Sequence, residues 1–197
     1  MTQDTQAYYY SDYVGGGKWR NPGTVECQVV KLKNTSGNEP KNDLLSAVSW
    51  LKNILSQDLP SILQKANLTS MTVCVAPRAK EEGFYQPNQK LFKTTIRDCI
   101  SQLHGFEDGT DYIIRRINTK TTHLRCTTQL NDGSMPYVGI TTDTCSISDN
   151  VRGKDILLID DLYTRTVNID EDVIQALLNK GARSVIFYAV GKTVSRF

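Results

Sequence analysis

Asp155-Ile156-Leu157-Leu158-Ile159-Asp160-Asp161-Leu162-Tyr163-Thr164-Arg165-Thr166-Val167-Asn168-Ile169 is the stretch on which the reading of this 197-residue chain turns. Four apolar residues, Ile156 to Ile159, follow one another without a polar interruption, as a strand buried on both faces of a parallel sheet requires. Two adjacent carboxylates end the run, and a short polar segment follows. From Ile169 to Lys180 the apolar residues Val173, Ile174, Leu177 and Leu178 recur at helical spacing, and Gly181 is a natural stop. Strand, loop and helix in that order put the acid pair at the carboxyl end of a strand. Ligands of open α/β sheets collect there, where helix N-termini offer unpaired N–H groups to anions. Two carboxylates beside an anion cradle repel a bare phosphate. They suit a sugar phosphate, whose hydroxyls meet the acids while its phosphate meets the loop.

The same alternation extends outward from this stretch. Met71 to Ala76 is a short apolar run closed by Pro77 and predicts another buried strand. Tyr112 to Ile117, Tyr137 to Thr142 and Val185 to Val190 predict three more. Leu44, Leu45, Val48, Leu51, Ile54 and Leu55 predict a helix from Asp43, capped by Asn42 or Asp43 and stopped or restarted at Pro60. Pro87-Asn88 lead into a second helix reaching about His104. Short strands alternating with helices indicate a mainly parallel sheet flanked by helices. The first 42 residues read differently. Tyr8 to Tyr10, Gly15 to Gly17 and Asn21-Pro22-Gly23 are turn-rich, and Val25, Cys27 and Val29 alternate as in a strand over Thr24 to Leu32. Residues 1–42 are therefore expected to form an irregular, β-rich addition to a domain spanning 43–197.

Composition excludes several classes. A net charge of +2 gives no global electrostatic case for nucleic acid or a membrane surface. No apolar run approaches the roughly 20 residues a membrane-spanning helix needs. Met1 to Tyr10 is polar and aromatic, so no signal peptide is expected. Five cysteines, an odd number without a Cys-x-x-Cys pair, point to reduced thiols in a cytoplasmic protein. Two histidines without ligand spacing do not make a zinc site.

The acid pair and its loop resemble the signature of type I phosphoribosyltransferases: apolar strand, Asp-Asp, two variable residues, then Thr-Thr-Gly-x-Thr. Within that superfamily the chain is most similar to the competence-protein-F (ComF-like) group. The strand end Val73 to Pro77 with Arg78, Lys80 and Glu81-Glu82-Gly83-Phe84-Tyr85-Gln86 resembles that group's Val-Pro and Glu-Arg-Gly-Phe-Asn-Gln elements. Arg116-Ile117-Asn118-Thr119 resembles its Arg-x-x-Thr, and Asn150-Val151-Arg152-Gly153 its Asn-Val-x-Gly. The paired cysteines of that group's zinc ribbon are missing.

The resemblance implies phosphoribosyl pyrophosphate with Mg2+ as ligand, and transfer of the sugar to a nitrogenous base. Asp160 and Asp161 would face the ribose hydroxyls as ribose-binding and catalytic acids. Tyr163, Thr164, Arg165, Thr166, Val167 and Asn168 would wrap the 5′-phosphate. Ala76, Pro77, Arg78 and Lys80 would meet the pyrophosphate. Magnesium would ride on the ligand, with no direct protein ligand. Thr166 stands where the family has glycine, and a β-branched residue forced to a positive φ costs about 1–3 kcal/mol. Three alternatives stay open: a silent nucleotide-binding or nucleic-acid-linked module on the same fold, a homodimeric assembly protein, and plain structural roles. In the last, the acids are a strand end or helix cap, and Arg78 and Lys80 are surface charges.

Overall fold

A computed structural model describes residues 5–119, 139–165 and 168–194. The strands are β1 Ala7–Tyr13, β2 Met71–Val75, β3 Phe106–Asp108, β4 Ile113–Arg115, β5 Cys145–Ile147, β6 Asp155–Tyr163 and β7 Ser184–Thr193. Five of them form a parallel central sheet in the order β1-β7-β6-β2-β3. The other two, β4 and β5, make a separate antiparallel pair. The helices are α1 Val25–Lys33, α2 Lys41–Lys65, α3 Leu91–Ile100 and α4 Ile169–Asn179. None is long and apolar enough to cross a membrane.

The two-residue period of the strands sorts their side chains onto two faces. Val73, Val75, Leu157, Ile159, Ile186 and Tyr188 face α1, α2 and α3. Cys74, Ile156, Leu158, Val185, Phe187 and Ala189 face α4 and the β4–β5 pair. The two faces follow from connectivity. From β2 the chain passes through α3 to β3 on one side. From β6 it passes through α4 to β7 on the other. Right-handed crossovers running in opposite directions must lie on opposite faces, so the strand order reverses between β2 and β6. That reversal opens a crevice at the carboxyl ends of these two strands, the place where open α/β sheets receive ligands.

The α/β sheet expected from the sequence is present, with several corrections in its parts. Thr24 to Leu32 is the helix α1. Val25, Val29 and Leu32 are spaced four and three apart and enter the core together, while Thr24 Oγ1 accepts the Cys27 N–H at 3.2 Å as N-cap. Val25, Cys27 and Val29 also fit a period of two, which is why the segment reads as a strand. The expected β-rich N-terminal addition is one strand and a helix: β1 is the edge strand beside β7, and α1 lies in the same core as α2. Pro60 does not interrupt α2, which runs through it for 25 residues. Ile113 to Arg115 pairs with β5, outside the parallel sheet. Of the strand expected at Tyr137 to Thr142, the first two residues lie outside the described residues and 139–142 are not a strand. The three-residue β3, with Glu107 and Asp108 in it, is too short and polar to show a period in the sequence.

Candidate functional site

At the crevice between β2 and β6 lies a cavity of about 790 Å3. Its walls are the end of β2 and the residues after it, the end of β6, the first turn of α4, the inner face of α1, and β4. Ala76 N–H donates to Ile159 carbonyl oxygen at 3.0 Å, which holds the two strand ends side by side.

Strand β6 continues past the acids, pairing with β7 as far as Tyr163 opposite Lys192. Consecutive residues therefore point to opposite faces, and the two aspartates have different neighbours. Asp161 shares the face of Leu157 and Ile159 and meets α1. Lys33 Nζ lies 2.7 Å from its Oδ2 and 3.0 Å from its Oδ1, and Asp161 is only 8 % exposed. Asp160 shares the face of Ile156 and Leu158, the side on which α4 packs, and there it meets Asp170. Its Oδ1 also accepts the Asp161 N–H at 2.7 Å. Burial, and then the charges of Asp161 and Asp170, push the Asp160 carboxyl well above the ordinary carboxylate range. Burial likewise pushes Asp170 up to about 7. Burial opposes the charge of Lys33, but Asp161 and then Asp160 more than offset this and hold the ammonium above its usual range.

The loop expected to hold phosphate is divided. Tyr163 is still in β6: its ring stands edge-on to Phe187, and its hydroxyl donates to Glu171 Oε1 at 2.9 Å. Thr164 lines the cavity, and its Oγ1 is buried without a hydrogen-bond partner among the described residues. Arg165 is exposed in a turn, and Thr166 and Val167 lie outside the described residues. Asn168 takes a left-handed backbone, φ 54°, as N-cap of α4. A short polar side chain tolerates that region.

Of the residues after β2, Ala76, Pro77, Arg78 and Lys80 all line the cavity. The Arg78 guanidinium is engaged by the protein. It donates to the carbonyls of Lys33 at 2.9 Å and Gln89 at 2.6 Å and lies 4.1 Å above the Tyr85 ring. It thereby ties the end of α1 to the 86–90 turn. Lys80 N–H donates to the Tyr85 hydroxyl at 3.1 Å, and its ammonium makes no ion pair among the described residues. Phe84 points to solvent, whereas Tyr85 lines the cavity.

Other sequence motifs divide in the same way. Thr119 is buried and lines the cavity, bonded through its N–H to Ala79 carbonyl oxygen at 2.8 Å. Arg116 is exposed beside Ser146. Asn150 to Gly153 form the turn into the opposite, amino end of β6 and stand away from the cavity.

Three site residues are not legible in the sequence. Lys33 directly follows the segment that reads as a strand, so its place at a helix end gives no signal. Arg115 lines the cavity, donating to the carbonyls of Arg78 at 3.1 Å and Gly139 at 3.2 Å. Its alternation with the buried Ile113 marks the inward face of β4. Asp170 reads as an ordinary first-turn acid of a helix.

Among the described residues, no three His, Cys, Asp or Glu side chains stand close enough to hold a metal ion. Mg2+ prefers oxygen and dehydrates reluctantly, so an ion carried by a phosphate-bearing ligand would keep its waters and need no direct ligand from this chain. The chain matches no protein-family model and no curated protein.

Proposed function

We propose that this protein is phosphoribosyltransferase-like, binding phosphoribosyl pyrophosphate with Mg2+ and transferring the phosphoribosyl group to a nitrogenous base. One observation carries the reading: the acid pair, Thr164 at the start of the loop and the residues after β2 line a single cavity at the sheet's reversal point. Separated segments of the chain, each assigned a part of one ligand, need not have met. The cavity is of the size that small-molecule sites commonly have.

In this reading Asp160 and Asp161 accept hydrogen bonds from the ribose 2′- and 3′-hydroxyls and face the positive charge that grows on the ring as pyrophosphate leaves. Lys33 orients Asp161 and offsets its charge. Thr164 Oγ1 supplies a hydroxyl to the 5′-phosphate, and the amino end of α4 adds its dipole. Lys80, whose ammonium makes no ion pair among the described residues, is a cation that can meet pyrophosphate. Magnesium, when bound, neutralises charge on the leaving group. Base selectivity would fall to the wall built by α1 and Trp19. A cytoplasmic location suits this substrate class and the four buried free thiols Cys27, Cys74, Cys99 and Cys145.

A second reading is favoured by Arg78. With its guanidinium held by two carbonyls, the site has one fewer cation for pyrophosphate. This suits a silent module that holds a nucleotide monophosphate. Calorimetric titration with Mg2+ and phosphoribosyl pyrophosphate separates the two. Binding at micromolar concentration, lost in the Asp160→Asn, Asp161→Asn double variant, supports the leading reading. Binding of a mononucleotide alone supports the second, and no binding of either refutes both.

A further inference from the structure

In the first turn of α4, Asp170 stands where a carboxylate ordinarily points to solvent and gains from the helix dipole. It is instead 4 % exposed and lies against Asp160 on the cavity wall. Its Oδ1 has no hydrogen-bond donor among the described residues. The charged groups that face it are Asp160 and Asp161 from β6, Lys33 from α1 and its own neighbour Glu171; Tyr13 of β1 stands beside Lys33 and Asp161. Of these only Lys33 is positive, and Asp161 already holds it. An ionised Asp170 would thus be a desolvated charge with a bare oxygen, set against a second carboxylate. Burial penalises that arrangement heavily, and a proton between the two acids relieves it.

We propose that Asp170 is a positioning residue that shares one proton with Asp160, and that the hydrogen bond so formed holds Asp160 oriented toward a ligand hydroxyl. Three carboxyls, one ammonium and one proton leave the site with a single net negative charge. The orphaned Oδ1 then belongs to an acid pair with one negative charge between them, for which a missing donor costs less than for two full carboxylates. Burial and the neighbouring acids push both carboxyls up, as the sharing of one proton requires. The shared proton is a property of the chain alone. Its consequence for binding rests on the phosphoribosyl reading. As the pH rises and the shared proton is lost, two adjacent carboxylates repel, Asp160 swings from its place, and sugar binding weakens.

The test has two arms on the full chain. Carbon-13 NMR of aspartate-labelled protein between pH 5 and 9 should show a carboxyl pair titrating near neutrality in the wild type and absent from Asp170→Asn. Titration with Mg2+ and phosphoribosyl pyrophosphate should show a wild-type Kd that rises about tenfold per pH unit once the pair ionises, as one-proton linkage requires. The side-chain amide introduced by Asp170→Asn is a permanent donor to Asp160, so the Kd of that variant should stay flat across the same range. If no carboxyl titrates near neutrality, or if Asp170→Asn keeps the wild-type pH profile, the proposal is wrong. If the wild type shows the titrating pair yet binds no ligand at any pH, the pair stands and the phosphoribosyl reading falls.

Discussion

Replacing Lys33 with methionine removes the one cation among three carboxyls and keeps most of the side-chain volume. At 2.7 Å from Asp161 Oδ2, the ammonium contributes an attraction of about 6 kcal/mol at the effective dielectric of about 20 that suits such sites. Removing one partner of a buried pair typically costs about 3–5 kcal/mol, because the other charge is left uncompensated. Lys33 keeps 27 % of its side chain exposed, so solvent screens part of this, and a loss of about 2–3 kcal/mol at pH 8 is expected. For a chain of this size that is a fall in Tm of about 4–12 °C.

The loss also carries a sign in pH. Without Lys33 the buried acids hold protons in the folded state that the unfolded chain releases near pH 4. Stability of the variant therefore falls as pH rises from about 4 through about 7, the value to which burial pushes Asp170 in the intact site, and recovers toward acid. Urea unfolding of Lys33→Met, Asp161→Asn and the double variant, at pH 5 and pH 8, measures the pair by a double-mutant cycle. A coupling under about 0.5 kcal/mol at pH 8, with no difference at pH 5, would make the contact a solvated surface pair.

Three further outcomes bear on the fold. Thr24→Ala removes the side-chain acceptor that starts α1 and should cost about 1 kcal/mol in urea unfolding, with no change in m value. Gly105→Ala should cost about 2–4 kcal/mol, since φ is +85° there and a Cβ would stand 2.7 Å from Leu63 Cδ2 and 2.9 Å from Thr69 carbonyl oxygen. The Cys74 thiol, pushed up to about 12 by burial and then by Asp108, should react with a disulfide reagent at pH 8 about a thousandfold more slowly than in urea-unfolded chain. Equal rates would mean that β2 opens readily.

Short-range patterns in the sequence were enough for the sheet's inner strands and three of its helices. Ile156 to Ile159 and Met71 to Ala76 are apolar on both faces, so no arrangement leaving either strand at the surface competes with burial. The acid pair at the end of β6, and the cavity position of Ala76 to Arg78, follow from the same local signal. Residues 24–32 misled because Val25, Cys27 and Val29 satisfy both a two-residue and a near-helical period. The packing of Val29 and Leu32 against α2 decides between them. Tertiary structure alone decided which charges share the cavity. Lys33 and Asp161 are 128 residues apart, and they meet because the crossover from β1 to β2 lays α1 along the face to which Asp161 points. Asp170 is buried because α4 docks on the other face, beside Asp160. A charge reveals its type in the sequence, whereas its partner and its solvation depend on which elements the fold brings within a few ångströms.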